Sequence, residues 1–384
     1  MADLPVLASS ARPGASASAS PAALGAGRLI WVDAARGLCV VAVVMLHFRI
    51  FVYGELSPPS NGIAVWTQFT EFFGGFRLPL LFAISGLVVS QRVRNGWSDR
   101  RNLARVASTY WIYAVWLCVF GLMSAIVVGH NVPFRVNSWG SFFSQLLVPD
   151  TTLWFVFALV LYLVLLTSLR RVHPAIVLGG LALVSIVSGL VPEEDAEALW
   201  LHVVYYAVFF AVGVYLRPAL EWFATNELWA KSVAALGLFI ICEKLWELTS
   251  QGDMVESTAR LFRDAAAIVL ATTVVALASR LPVFARTASA IGRQTLPVFI
   301  LQLPVIWVLV LLPVVEDSLT IPLVRYTAPI LGTIVIVVVS LLVHRFMLRT
   351  PLRHLFQLPA SWSDRIRHGS RREARAAAAA SEQG

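Results

Sequence analysis

The sequence predicts an all-helical (all-α) integral membrane protein with about ten transmembrane helices and with both termini in the cytoplasm. Three observations support this fold class. Of the 384 residues, 58% are hydrophobic and only 14% are charged, whereas a soluble domain typically carries about 25% charged residues. Apolar runs of bilayer length recur along the chain, and lysine and arginine are concentrated in alternate loops.

The apolar runs define the individual helices. A hydrocarbon layer of about 30 Å needs roughly 20 helical residues, with some variation for tilt. Suitable segments lie at residues 30–53, 72–91, 106–128, 152–169, 174–191, 199–216, 229–247, 264–280, 295–313 and 324–347. The fourth, fifth and sixth segments are short, so the count of ten is approximate.

The basic residues set the predicted orientation. If the N-terminus is cytoplasmic, 23 of the 30 lysines and arginines fall on the cytoplasmic side and 7 on the opposite side. Positive residues accumulate in the cytoplasmic loops of membrane proteins, so this asymmetry predicts that both termini are cytoplasmic. The same rule accounts for the net charge of +8, and the basic residues form no aromatic-rich soluble face that would indicate nucleic acid.

The chain divides into a membrane domain and two tails. Residues 1–27 are rich in alanine, serine, proline and glycine, which predicts a disordered cytoplasmic tail rather than a cleaved signal peptide. Residues 28–350 form the predicted membrane domain. Residues 351–384 form a basic, alanine-rich cytoplasmic tail suited to contact with anionic lipid headgroups. Any chemistry is therefore expected within the membrane domain.

Three ionisable residues lie on one face of the first predicted span: Asp33, Arg36 and His47. Eleven helical steps are close to three turns, so Arg36 and His47 share a helix face, roughly 16 Å apart along the axis. Asp33 precedes Arg36 by three residues, a spacing at which the two side chains meet. Because ionisable groups at this depth are costly and usually face a cavity, the segment predicts a polar site.

The predicted orientation gives each polar residue a depth. Arg36 lies near the cytoplasmic face, and His47 lies in the outer half of the membrane. Arg77, in the second span, is expected at a depth similar to that of His47, while the arginines of residues 92–105 gather near Arg36. A group of arginines near the cytoplasmic face suits the binding of a donor with phosphate groups. A neutral histidine in a partly dry cavity suits removal of a proton from a hydroxyl.

Structural roles remain open for the same residues. The arginines of residues 92–105 also serve as topology determinants, and Arg36 is long enough to reach the inner headgroups. His47 has an alternative role as a packing residue bonded to a neighbouring carbonyl, and Arg77 as an anchor at the outer interface. His202 and His344 lie near span ends and are expected to be structural. The three cysteines lie in apolar spans without ligand spacing, and no metal site is predicted.

Four segments resemble the membrane-bound acyltransferase family 3, the O-acetylases that decorate bacterial surface glycans. Residues 31–37, leading to His47, resemble the first helix of that family, whose signature is a basic residue, ten residues and then histidine. Residues 76–86, 153–155 and 292–302 resemble three further family segments. The likeness extends over about residues 30–350, which is nearly the whole chain.

The resemblance implies an integral membrane O-acyltransferase of the bacterial inner (plasma) membrane. The implied donor is cytoplasmic acyl-CoA, with acetyl-CoA expected, acting as a co-substrate with no bound cofactor. The implied acceptor is a hydroxyl of a cell-envelope glycan, a glycolipid or a small product at the outer leaflet. Membrane lipids are expected partners, nucleic acid is not, and self-association into a homo-oligomer is left open.

The resemblance also implies residue roles. His47 would be a general base or would carry the acyl group, and the sequence does not decide between these two. Arg77 would stabilise negative charge on the carbonyl oxygen or orient the acceptor. Arg36, held by Asp33, would contribute to catalytic geometry and bind CoA phosphates, together with the cytoplasmic residues Arg101 and Arg105.

Supporting positions come from the other matching segments. They are Ser85, Trp154 and Gln302. Gln302 departs from the family, which commonly has histidine there, and the sequence leaves open whether it bonds a neighbouring helix or lines a cavity. A second departure is Asn102, which stands where the first arginine of a family pair would align before Arg105.

Two other function classes compete with the enzyme. A transporter or flippase for a lipid-linked or acylated substrate would need no covalent chemistry, and its helices would be broken in matched inverted halves. Prolines 79, 297 and 304 interrupt spans, but no matched halves are evident. The third class is a non-catalytic membrane partner in a glycan-assembly complex. The resemblance of Arg36, ten residues and then His47 to the family signature argues against both.

Overall fold

The computed structural model describes residues 21–127, 132–136, 138–191, 198–249, 253–359, 361–363 and 365–366. The described residues are helical and contain no β-strand, as the predicted all-helical class requires. Most of the two predicted tails lies outside the described residues, so the tails and the domain boundaries stay predictions.

The helices follow one another with short connections. The first eight are α1 (Pro21–Phe48), α2 (Gly54–Leu56), α3 (Asn61–Phe72), α4 (Gly74–Asn95), α5 (Arg100–Ile126), α6 (Trp139–Ser144), α7 (Trp154–Ser168) and α8 (Pro174–Ser188). The others are α9 (Ala198–Tyr215), α10 (Arg217–Phe223), α11 (Leu228–Glu247), α12 (Met254–Ala278), α13 (Pro282–Gly292), α14 (Thr295–Leu311), α15 (Pro313–Leu319) and α16 (Pro322–Met347). A π-helical stretch, Arg49–Tyr53, joins α1 to α2, and a 3₁₀ helix, Pro351–Leu355, follows α16.

Helices occupy all ten predicted segments, but they do not all have the length of a span. Within the described residues, five helical segments are long and apolar enough to cross a membrane: Ile30–Leu56, Asn61–Asn95, Arg100–Ile126, Met254–Ala278 and Pro322–Met347. The number becomes seven if the bent pairs α9–α10 and α13–α14 each form one span. Helices α7 and α8 have only 15 residues each, and α11, with 20 residues, is long enough but not apolar enough to be counted. The structure thus supports five to seven spans, and the count of ten and the orientation stay predictions.

Helices α1 and α4 lie at the centre of the bundle. Helix α1 packs against α4, α12, α13, α14 and α16, and α4 packs in addition against α7 and α9. These two helices carry most of the polar residues singled out by sequence, including Arg36, His47, Arg77 and Ser85. A central position explains how ionisable side chains on apolar helices avoid the lipid, because they face the bundle interior.

Glycines allow the close crossing of α1 and α13. A Cβ atom on Gly37 would lie 2.1 Å from the carbonyl oxygen of Ala288, and one on Gly292 would lie 1.7 Å from that of Asp33. Small residues at a crossing let two helix backbones approach closely. Gly37 and Gly292 belong to two of the segments on which the family resemblance rests, so their presence there has a packing reason.

A second crossing, between α4 and α9, depends on glycine in the same way and gives a test of the fold. We expect Gly213→Ala to destabilise the protein by ~1–3 kcal/mol, because its Cβ would lie 1.8 Å from the carbonyl oxygen of Ala83. Thermal unfolding in detergent measures the effect. The matched control is Gly180→Ala on α8, where nothing lies within 4 Å of the added atom, and it should be neutral or slightly stabilising. Equal melting temperatures for the two variants would show that this crossing is looser than described.

Candidate functional site

Two cavities lie inside the bundle, on either side of an aromatic cluster. The first, of about 310 Å³, is the histidine cavity, and its walls include His47, Glu71, Arg77, Trp154, His202, Tyr206, Arg260, Arg263 and Asp264. The second, of about 140 Å³, is the arginine cavity, and its walls include Arg36, Ser85, Arg105, Phe155 and Thr295. Most of the site residues predicted from the sequence are therefore divided between two cavities, whereas Asp33, Arg101 and Gln302 line neither.

His47 occupies the last turn of α1 and faces the histidine cavity. Its Nδ1 atom is buried and has no hydrogen-bond partner of standard geometry within the described residues. The imidazole ring packs at 5.6 Å from the ring of Phe51, which belongs to the π-helical stretch Arg49–Tyr53. π-Helical turns are rare in proteins, and those that occur often lie at functional sites. Because Nδ1 is buried, Nε2 is the nitrogen left to meet a bound molecule.

Gln302 of α14 lies beside the imidazole of His47 and is fully buried. Its Nε2 donates to the carbonyl oxygen of Phe299 at 2.9 Å, whereas its Oε1 has no partner in the part of the chain that the structure describes. An acceptor without a partner thus lies next to His47, whose Nδ1 also lacks one. A small rotation would let Nδ1–H donate to this oxygen and would hold Nε2 unprotonated towards the cavity.

Arg77 of α4 shares the histidine cavity with His47. Its Nη1 donates to the backbone carbonyl of Thr70 at 2.8 Å. The hydroxyl of Thr70 accepts a hydrogen bond from Arg49 Nε at 3.1 Å. Two arginines on different helical segments are thus held by one buried threonine, which fixes the Arg77 guanidinium at the cavity wall.

Helix α12 supplies a charged wall that the sequence analysis did not identify. Asp264 is buried, and its Oδ1 accepts hydrogen bonds from Arg263 Nε at 2.9 Å and Nη2 at 2.7 Å. Its Oδ2 accepts from the Tyr205 hydroxyl at 2.9 Å. Arg260 stacks over the Tyr205 ring at 4.7 Å. Arg260 and Arg263 are among the seven basic residues predicted for the non-cytoplasmic side. Their spacing of three residues, with Asp264 one residue further, places all three on one helix face, which is the sequence signal for this wall.

The remaining wall of this cavity is aromatic. Tyr206 stacks on His202, with ring centroids 6.0 Å apart, and on Trp154 at 6.0 Å. Trp154, a predicted supporting residue, thus lines the site together with His202, which was expected to be structural. His344 has a structural contact, since its Nδ1 lies 2.9 Å from Gln294 Oε1.

Arg36 and Arg105 both line the arginine cavity. Arg36 pairs with Asp33 at 3.9 Å, the contact that their spacing predicts, and both side chains remain partly exposed. Helices α13 and α14 meet at a 70° bend, which brings the first residue of α14, Thr295, into the cavity wall. A helix N-terminus carries partial positive charge, so three sources of positive potential converge here. Ser85 also lines this cavity, and its hydroxyl donates to the Leu81 carbonyl at 2.7 Å.

Arg101 does not join this cluster. Like Arg105, it is exposed, but it does not line the arginine cavity. Its backbone N–H donates to Asp99 Oδ1 at 3.0 Å at the start of α5, a bond that lowers the pKa of Asp99. Asn102 is buried, and its Nδ2 donates to the carbonyl oxygens of Arg92 at 2.7 Å and Gly96 at 2.8 Å. Asn102 therefore closes the end of α4, and Arg105, three residues later, lines the cavity.

An aromatic cluster separates the two cavities. The ring of Phe155 lies 4.8 Å from that of Phe82 and 4.9 Å from that of Phe299. On α4, Leu78 lines the histidine cavity and Leu81 lines the arginine cavity. These two residues are three helical steps apart, which corresponds to about 4.5 Å along the helix axis. The two cavities are therefore close to each other along α4, and buried aromatic side chains pack between them.

Among the described residues, no group of three or more histidine, cysteine, aspartate and glutamate side chains could hold a metal ion. The site therefore consists of histidine, arginine, carboxylate and aromatic groups in two adjacent cavities.

Comparison with known proteins identifies the family. The family model described as an acyltransferase domain (Acyl_transf_3) matches residues 29–345. The chain belongs to this acyltransferase family. The match confirms the resemblance, and the apolar helices together with the family indicate a membrane acyltransferase.

One curated relative of this chain is the inner membrane protein YcfT of Escherichia coli (strain K12). It is 24% identical over 158 residues, which cover 37% of this chain and 44% of YcfT. The chain thus spans less than half the length of this relative. No solved structure matches the chain.

Proposed function

We propose that the protein transfers an acyl group, expected to be acetyl, from cytoplasmic acyl-CoA to a hydroxyl of a cell-envelope glycan, glycolipid or small product. The observation that carries this proposal is the pair of adjacent cavities, one lined by arginines and the other by His47 and Arg77. We further propose that the protein acts in the bacterial inner membrane, with the arginine cavity on the cytoplasmic side.

The arginine cavity suits the phosphate groups of acyl-CoA. Guanidinium groups bind phosphate oxygens through paired hydrogen bonds, and the N-terminus of α14 adds a favourable dipole. Phosphates held by Arg36 and Arg105 would direct the thin pantetheine arm towards the aromatic cluster. Movement of Phe155 and its neighbours would then let the thioester reach His47.

His47 suits the transfer step. As a general base, its Nε2 would accept the proton of the acceptor hydroxyl while the hydroxyl oxygen bonds to the acyl carbon. The carbon–sulfur bond then breaks, and the proton passes to the CoA sulfur. As a nucleophile, Nε2 would bond to the acyl carbon while the carbon–sulfur bond breaks and CoA leaves as the thiolate. In a second step the hydroxyl oxygen would bond to the acyl carbon, the carbon–nitrogen bond to His47 would break, and the hydroxyl proton would pass to the CoA thiolate. In both routes, Arg77 would stabilise the negative charge that develops on the carbonyl oxygen.

The test is turnover of radiolabelled acetyl-CoA by the purified full chain in liposomes. Free CoA and label on protein or lipid are followed together. The proposal expects CoA release above the protein-free background. Absence of CoA binding and release, in protein whose melting curve shows a folded state, would contradict it and favour the transporter class.

Gln302 provides a separate prediction about how His47 is oriented. We expect Gln302→Leu, which has a similar volume, to lower kcat by about tenfold to a hundredfold, because an interaction that orients a catalytic group acts mainly on the chemical step. KM for acetyl-CoA should be unchanged, since Gln302 does not line the arginine cavity.

The matched variant for this test is Gln302→His, which restores a polar side chain of the type common in the family. It should retain more activity than Gln302→Leu. If both variants have wild-type kcat, Gln302 does not position His47 and serves only as a packing residue.

A further inference from the structure

An apolar groove of about 540 Å³ opens on the side of the bundle next to the histidine cavity. Helices α1, α3, α4, α11 and α12 form its walls. The α1 wall consists of Leu38, Cys39, Val41, Ala42 and Met45. Seven helical steps extend about 10 Å along the axis, enough for a segment of hydrocarbon chain. Phe72 and Val233 on the opposite walls are exposed, so the groove is open at the surface of the bundle.

Arg77 connects the groove to the reaction site. It belongs to the walls of both the groove and the histidine cavity. Among the described residues that line the groove, it is the one that carries a charge. A groove on a membrane-facing surface contacts lipid in any case, but a groove that ends at a half-buried arginine in the same cavity as His47 suits an amphiphile with a polar end.

The polar end of such an amphiphile would be anionic. Both carboxylate oxygens of Asp264 already accept hydrogen bonds, Oδ1 from Arg263 and Oδ2 from Tyr205. Within the described residues, Arg77 and Arg260 form no ion pair with a carboxylate within 4 Å, although Glu71 also lines the cavity. The histidine cavity therefore presents two arginines whose charge is not directly compensated. Phosphate is the anion whose geometry matches guanidinium groups.

We propose that the acyl acceptor is an anionic membrane lipid that carries a phosphate and a free hydroxyl. The hydrocarbon chain lies in the groove, the phosphate binds Arg77 and Arg260, and the hydroxyl meets His47. This inference rests on the proposed acyl transfer from acyl-CoA, and it assigns the acceptor to anionic phospholipids, a class that the proposed function does not include. In the transfer, the hydroxyl oxygen bonds to the acyl carbon, the carbon–sulfur bond of the thioester breaks, and the hydroxyl proton reaches the CoA sulfur by way of His47.

The experiment is photocrosslinking of the full-length protein in phosphatidylcholine nanodiscs. The probe is a phosphatidylglycerol with a diazirine on one acyl chain, and crosslinked peptides are located by mass spectrometry. The proposal expects crosslinks on the groove walls of α1 and α12. Unlabelled phosphatidylglycerol should compete for these sites, whereas inorganic phosphate and added phosphatidylcholine should not.

Variants separate the groove from the headgroup site. Ala271→Trp and, independently, the more exposed Val274→Trp fill the groove and should abolish crosslinking there. The matched control is Val338→Trp on an exposed apolar face of α16, outside the groove. Arg260→Gln should lower crosslinking by about tenfold, as expected for loss of one hydrogen-bonded charge, and Arg260→Lys should restore most of it.

Three results would overturn the proposal. Effective competition by inorganic phosphate, with no effect of the tryptophan variants, would indicate a site for free phosphate. Equal labelling by a phosphatidylcholine probe would indicate ordinary boundary lipid. Specific lipid binding in a protein that releases no CoA would remove the acceptor role. Crosslinking needs no acetyl-CoA, so a failure here leaves the CoA-release test of the proposed function unaffected, and the two failures are distinguishable.

Discussion

Replacement of His47 by alanine is expected to lower acyl transfer by about 10²–10⁴-fold, the range that general acid–base catalysis contributes. His47 is the histidine that α1 presents to the cavity shared with Arg77. In the nucleophilic route the loss would be complete, because no acyl-enzyme could form on this residue. CoA release and labelled product, measured with the same protein preparation, give the rate of each step.

The matched control for the His47 variant is His173→Asn. His173 is exposed and caps α8 by accepting from the backbone N–H of Ala175, and asparagine preserves this kind of cap. Membrane insertion and melting temperature should be unchanged in both variants. Acylation at the wild-type rate in His47→Ala would remove this residue from the mechanism.

Replacement of Arg105 by glutamine is expected to raise KM for acetyl-CoA by about tenfold or more, because a charged donor to phosphate would be lost. Arg105 lines the arginine cavity together with Arg36. The effect on kcat should be smaller, since the cavity lies on the far side of the aromatic cluster from His47. Steady-state kinetics of CoA release at varied acetyl-CoA concentration distinguishes the two parameters.

The chain offers a close control in Arg101→Gln. Arg101 lies one turn earlier on α5 and is exposed outside the cavity, and its recorded hydrogen bond to Asp99 uses the backbone and not the guanidinium. Its replacement should change KM little. Equal increases in KM for the two variants would mean that the loop as a whole, and not the cavity, attracts the donor.

Sequence patterns were sufficient to bring part of the site together. The spacing of Asp33 and Arg36 predicts a pair, and the structure places their side chains 3.9 Å apart. The depth assigned to Arg77 placed it near His47, and both residues line one cavity. These inferences depend on helical periodicity and on bilayer depth, which are properties of single helices and can be obtained from one sequence.

The other part of the site depends on contacts between helices, which periodicity does not determine. Arg260 and Asp264 reach the histidine cavity because α12 packs against α1 and α4. Arg101 was grouped with Arg105, but the two residues point to different surroundings because Asn102 fixes the start of α5 against the end of α4. The 70° bend that brings Thr295 to the arginine cavity also has no periodic signal in the sequence.

The number of membrane spans is another property that composition and periodicity predict only approximately. Apolar length alone predicts ten crossings, whereas α7 and α8 have only 15 residues each and cover about 22 Å. A buried apolar helix and a membrane-spanning one have similar composition, so length decides between them. These short helices lie within the bundle arrangement, and their apolar character serves packing as well as contact with lipid.

The most direct test of the account uses sealed proteoliposomes in which the protein has one orientation and acetyl-CoA is supplied to one face at a time. The account predicts CoA release only when acetyl-CoA is on the face that carries Arg36 and Arg105, and it predicts that His47→Ala abolishes this release. Equal release from both faces, or release that persists in His47→Ala, would contradict the assignment of separate donor and transfer sites.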